Sequence, residues 1–160
     1  PMHSTNYIKE RLLPELATGA EQSGRAVSDI ELIVPVFVVP GDSPEERAKL
    51  LARARSQIAF YGSTPNYAFQ FDDLGFEGTT GKLSDLLRSG DVAGMAGIIS
   101  DEMLDHFTVI GRWDDIADLL STRYRGHASR LVTYLAGESI RSEPSNLPKW
   151  GEIAAAVRGR

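Results

Sequence analysis

The chain has 160 residues, 42% of them hydrophobic and 24% charged, with a net charge of −5 at neutral pH. That balance excludes a disordered acidic tail, which could not build a core, and a basic nucleic-acid binder, since no Lys/Arg block interleaves with aromatics. The absence of cysteine excludes disulfides, thiolate catalysis and Cys-ligated metals in this chain.

No apolar run approaches the ~18 residues of a membrane span, and Pro1-Met2-His3-Ser4-Thr5 lacks the charged and apolar regions of a secretory signal. A soluble, cytoplasmic protein is expected. Ser4 or Thr5 begins a helix in which Ile8, Leu12, Leu16 and Ala20 recur at spacing four beside Leu13, until Gly24 stops it. Pro14 should bend it. Ile30 to Val39 follows as a nearly continuous β-branched run without alternation, the pattern of a strand buried on both faces. Pro35 removes a donor there, so the strand should start late, bulge or pair weakly on one side.

Ser43-Pro44-Glu45-Glu46 opens the next helix, with Ser43 as N-cap, Pro44 in the first position and Glu46 closing a capping box. Ala48, Leu51, Ala54 and Ile58 mark its buried face, with Leu50 and Ala59 beside them, and Glu45, Glu46, Lys49 and Arg53 face solvent. Gly62 releases this helix, Ser63 or Thr64 can cap a second, and Pro65 suits the first turn of that second helix. The turn presents Tyr61, Ser63, Thr64 and Tyr67 together, aromatic bodies with hydroxyl tips that suit one wall of a pocket for a flat, partly polar ligand. The plainer alternative is that Phe60, Tyr61 and Tyr67 staple two helices together.

Beyond Tyr67 the pattern is helical and broken by glycines: a short piece ends at Leu74-Gly75, and Leu83, Leu86 and Leu87 form another before Gly90. Gly75, Gly78 and Gly81 suggest a mobile loop and not a phosphate cradle, because no strand precedes them and no Lys-Ser/Thr pair follows. Ser100-Asp101-Glu102 starts a helix whose acids complement its dipole. Trp113 to Tyr124 forms another, with Ile116, Leu119 and Leu120 inward and Gly126 as its stop. Arg130 to Leu135 reads as a second strand, Gly137 to Pro148 as a loop and Trp150 to Arg158 as a terminal helix. His3, His106 and His127 stand apart, with no metal-ligand spacing, and no metal site is expected.

Two strands, each asking for neighbours on both sides, do not make a sheet. Buried backbone groups without partners cost roughly 1–3 kcal/mol each, enough in sum to rival the ~5–15 kcal/mol that holds a domain together. A further N-terminal portion, a second copy of the chain, or strands hidden in helical-looking segments must supply the rest, and the first is favoured.

Met2 to Ile8 with Leu13 to Leu16, Pro35 to Val38, Gln57 to Tyr67, Ile99 to Leu104, and Arg123-Tyr124 with Gly126 together resemble the C-terminal part of the bacterial luciferase-like monooxygenases. The closest resemblance is to the branch of coenzyme F-420 (deazaflavin) dependent oxidoreductases. It covers nearly the whole chain, 1–160. The resemblance implies an α/β fold, the C-terminal fragment of a (β/α)8 TIM barrel, mostly helical, with two parallel-type strands (the seventh and eighth) and inserted helices between them. The earlier strands, which in this family carry most of the cofactor-binding and hydride-transfer groups, would lie outside this chain. Sites at the strand ends would then involve Pro40 to Asp42 and Ala136 to Glu138. Tyr61, Ser63, Thr64 and Tyr67 would shape the pocket for a small organic substrate. His3 and Ser4, at a helix N-terminus, could receive an anionic group of F-420 or FMN. No cofactor is expected to bind this chain tightly alone, its catalytic residues are not identifiable, and a homo-oligomer is expected. A different class of reading is a non-catalytic helical interaction module that self-associates or pairs with another chain, with no nucleic acid or membrane as partner.

Overall fold

The computed structural model of the protein describes residues 2–159. At its centre lies β1 (Ile33–Pro40), with β2 (Thr108–Gly111) on one side and β3 (Arg130–Thr133) on the other, all parallel. Alternation along β1 explains its lack of polar residues. Val34, Val36 and Val38 enter one core with Ile8, Ile116, Leu120, Trp150 and Ile153, whereas Phe37 and Val39 enter another with Leu50, Ala54, Ile58, Phe71 and Leu104. Both faces are covered by helices, as parallel sheets require.

The sheet corrects the expectation of two strands. Thr108-Val109-Ile110-Gly111 is a third, too short to show a period between the helix that ends at Phe107 and the 3-10 turn at Trp113. β1 also starts late, at Ile33. The N–H groups of Arg130 and Tyr134 bond Leu32 O and Val36 O, so even-numbered backbone groups of β1 face β3 and odd-numbered ones face β2. β2 pairs only from Phe37 onward. The donor that Pro35 lacks therefore points where there is no neighbouring strand, and it costs no ladder bond.

Before β1, α1 (Thr5–Tyr7) runs through a π-helical stretch, Ile8–Leu12, into α2 (Leu13–Gln22). Leu13 N–H reaches back to Ile8 O. The bend expected at Pro14 is thus taken up one turn early, where a widened turn accommodates a ring that would clash in a regular ladder. After β1, α3 (Pro44–Gly62) begins as its residues require, with Ser43 Oγ accepting the Glu46 N–H at 3.2 Å. The expected capping box is displaced by one residue: the Glu46 carboxylate takes the Asp42 N–H at 2.7 Å, not that of Ser43. The seam of α3 is Leu50, Ala54, Ile58 and Gly62 at spacing four, with Ala59 alongside. Ala48 is exposed and Leu51 half-buried, because the helix is turned toward Leu50 relative to the expected face.

A 3-10 turn, Pro65–Tyr67, leads into α4 (Ala68–Asp72), α5 (Thr79–Ser89), α6 (Val92–Ile98) and α7 (Asp101–Phe107). These helices complete the Phe37 side. The glycine repeat spans a turn and the start of a helix: Gly75 and Gly78 hold φ of +85° and +78°, and Gly81 lies inside α5. α8 (Ile116–Tyr124) covers the Val36 side with Ile116 and Leu120, while Leu119 is exposed, contrary to expectation. The segment read as a loop is mostly helix, α9 (Ala136–Ser142), and α10 (Asn146–Arg158) starts before Trp150. Ser139 is the reason. Its buried hydroxyl accepts from Trp150 Nε1 at 3.1 Å and Asn146 Nδ2 at 3.2 Å, tying the two helices together.

The chain moves sideways from β1 to β2 across one face and returns past β1 to β3 across the other. Two lateral moves in opposite directions share one hand only if they use opposite faces.

Candidate functional site

The carboxyl end of β3, level with Val36 and Phe37 in the middle of β1, meets the C-terminal end of α3, and aromatic side chains collect there. Tyr134, directly after β3, donates its N–H to Val36 O at 2.8 Å and sets its ring edge-on to Phe37, 5.1 Å between centroids. Its phenol lies 3.3 Å from the Tyr61 phenol. Tyr61 in turn meets Tyr67 edge-on at 6.4 Å and Phe60 at 5.9 Å. Phe60 is 57% exposed and Tyr134 39%, so the cluster opens to solvent. The bond to Tyr134, and then partial burial, hold the Tyr61 phenol above the usual tyrosine value.

The turn that presents these rings is fixed by packing. A Cβ on Gly62 would stand 2.5 Å from the Phe71 ring, so only glycine lets α3 approach α4 this closely. Ser63 is buried and donates its hydroxyl back to Phe60 O at 2.7 Å. Thr64 is exposed and its side chain caps nothing. The expected cap from Ser63 or Thr64 is thus absent, because the 3-10 turn is closed by backbone bonds, Tyr67 N–H to Thr64 O at 2.9 Å. Tyr61 and Tyr67 are brought together; Ser63 supports the turn from beneath.

One face of α3 meets α9 through two polar rungs four residues apart, and eight residues further on it meets Tyr134, just before α9. Lys49 Nζ donates to Ser142 Oγ at 2.8 Å, Arg53 pairs with Glu138 at 3.3 Å, and Tyr61 meets Tyr134. Gln57 falls between Arg53 and Tyr61, and its Oε1 is buried without a partner among the described residues. Glu138 and Lys49 are consequently structural contacts as much as surface groups.

His3 and Ser4 make contacts outside this cluster. Ser4 is buried, its Oγ accepts the Tyr7 N–H at 3.0 Å, and its own N–H goes to Gln70 Oε1 at 3.3 Å. The half-buried His3 stands edge-on to Tyr124 at 6.3 Å. Asp101 pairs with Arg55 at 2.5 Å, Asp73 receives both Arg11 donors, and Asp42 lies 3.7 Å from Arg112, all as helix-end or surface pairs. Among the described residues no three His, Asp or Glu side chains are grouped to hold a metal ion, and no helix is long and apolar enough to cross a membrane.

Tyr134 is the functional candidate that the sequence reading passes over, although its place near the end of the second strand run was a usable signal. Residues 1–130 match a family described as luciferase-like monooxygenase. Uncharacterized proteins of Mycobacterium bovis and of two Mycobacterium tuberculosis strains are each 38% identical to the chain over 132 residues. The aligned stretch covers 82% of this chain and 39% of each relative, so the chain spans about two fifths of the length of the curated relatives it matches.

Proposed function

The chain belongs to the luciferase-like monooxygenase family, and from that premise we propose that it is the C-terminal part of a flavin- or deazaflavin-dependent oxidoreductase acting on a small organic substrate. In the longer protein the parallel strands would continue into a (β/α)8 barrel, whose remaining strands would take up the free outer edges of β2 and β3. The bound cofactor, F-420 or FMN, would exchange a hydride with the substrate. The supporting observation is the solvent-facing tyrosine cluster at the carboxyl end of the parallel strand β3, the end of parallel strands where ligands of α/β proteins characteristically sit. Tyr61, Tyr67 and Tyr134 line the substrate side, packing their faces against an apolar body and offering phenols to a polar group. Thr64 adds an exposed hydroxyl, and Ser63 holds the turn in place.

The residues present do not make a phosphate cradle. Ser4 is buried, its Oγ accepts the Tyr7 N–H and its own N–H goes to Gln70, so binding of an anionic cofactor group by His3 and Ser4 would require that cap to open. Cofactor recognition is therefore assigned to the segments of the longer protein, and the isolated chain is expected to be inactive.

A second reading keeps a specific observation in its favour: Ile33 and Val132, each 46% exposed, lie on strands with unpaired edges, which suits a non-catalytic module that pairs with another chain or a second copy. Titration separates the two. A longer parent protein should quench the fluorescence of F-420, or alter the absorbance of FMN, with saturable binding, and Tyr134→Ala should raise the substrate KM while leaving that cofactor binding intact. Failure of the parent to bind either cofactor would sink the oxidoreductase assignment and leave the pairing module.

A further inference from the structure

The face of the sheet opposite the tyrosines holds a cavity of about 620 Å³ between α8, β3 and α10. Alternation along β3 sends Leu131 and Thr133 into it, away from the Tyr134 side. Trp150 and Ile153 of α10 give it an apolar wall, and its volume suits a small organic ligand. Its polar lining is one-sided. Arg125, Arg130 and Arg158 line it and, among the described residues, no carboxylate does, in a chain whose net charge is −5. Arg130 is shared with Glu31 at 3.6 Å, whereas Arg125 and Arg158 make no ion pair among the described residues.

Ser121 adds an independent observation. The residue is only 9% exposed, it lines the cavity, and its Oγ has no hydrogen-bond partner among the described residues. Buried hydroxyls are nearly always paired, and one that is not calls for a partner from outside. Arg125 directly follows α8 and its N–H bonds Ser121 O at 3.0 Å, one turn back, so a donor and a cation converge on the same end of an apolar cleft.

We propose that this cavity binds an organic anion, its apolar body against Trp150, Ile153 and Leu131 and its carboxylate or phosphate head on Ser121 Oγ, Arg125 and Arg158. The site lies on the other face from the tyrosine cluster and does not depend on the oxidoreductase assignment. A planar guanidinium and a hydroxyl donor favour an oxyanion over a neutral head, and the apolar wall favours an alkyl or aryl body over inorganic phosphate.

Isothermal titration of the 160-residue chain with octanoate, octyl phosphate, octanol and inorganic phosphate tests this. Octanoate or octyl phosphate should bind one to one, about tenfold or more tighter than octanol or phosphate, as charge-assisted bonds predict. The preferred head distinguishes a carboxylate ligand from a phosphate ester. Arg125→Gln with Arg158→Gln should erase the preference over octanol, and the milder Ser121→Ala, checked for folding by circular dichroism, should reduce it several-fold without weakening octanol. Equal binding of octanol and octanoate, or no binding of either anion, would overturn the site, as would a full preference retained by both variants.

Discussion

Gly62 and Glu46 show how far single residues govern this molecule. Alanine at Gly62 would gain about 1 kcal/mol of helix propensity, but its Cβ would meet Phe71 at 2.5 Å, and that ring is itself fully buried and edge-on to Phe107 at 5.5 Å. Overpacking costs about 1–3 kcal/mol, so Gly62→Ala should lower the urea midpoint; a raised midpoint would mean that Phe71 moves aside freely. Glu46 gathers the Trp113 indole N–H at 2.6 Å and the Asp42 N–H at 2.7 Å, with Lys149 at 3.9 Å. The Trp113 bond first, then the Asp42 bond, hold its carboxyl below the usual carboxylate value. A depressed folded-state pKa stabilises above the unfolded value and loses that stabilisation as pH falls through the folded one. With its side chain 37% exposed, solvent screening keeps the effect small. Melting temperature should therefore decline modestly from about pH 4.5 downward, and Glu46→Gln should flatten that part of the profile. An unchanged profile in the variant would remove Glu46 as its source.

At the scale of elements, the junction of α9 and α10 depends on one hydroxyl. Ser139→Ala would strand the indole N–H of Trp150, a residue only 6% exposed, at a cost of about 1–3 kcal/mol. Thermal unfolding should show that loss, and Ser139→Thr should recover part of it; equal stability of Ser139→Ala and the parent chain would mean the indole finds another acceptor. This junction also marks where the sequence was hard to read. Residues 137–148 carry Gly, Ser and two prolines, which favour a loop, and only the distant partnership of Ser139 with Trp150 makes helix of them. β2 escaped for a different reason: its four residues follow α7 without a break and run almost directly into the turn at Trp113. By contrast β1 and the start of α3 were legible, because unbroken β-branched residues and the Ser43-Pro44 cap act locally. Tyr61 and Tyr67 were legible as neighbours through the turn between them, while Tyr134 reaches them only through the β1–β3 register, which no local pattern encodes.

For the whole molecule the decisive feature is an open parallel sheet of three strands whose outer edges are unpaired among the described residues. On β3 the N–H groups of Arg130 and Tyr134 point to β1, so those of Leu131 and Thr133 point outward. Helices cover both faces of β1 but leave this edge open, and free parallel edges invite another strand. Hydrogen exchange resolves whether one is present. In the isolated chain the Leu131 and Thr133 amides should exchange faster than those of Val34 and Val36, bonded toward β3, by a factor on the order of 10³ if the core approaches an ordinary domain's stability. In a longer parent protein, where a barrel strand would cover the edge, their protection should rise to the level of the core. Protection that instead rises with the concentration of the isolated chain would identify a second copy as the neighbour, since pairing between chains follows mass action. Fast exchange of Leu131 and Thr133 in the parent would leave the edge uncovered there too, and with it would go the barrel as the context of this chain.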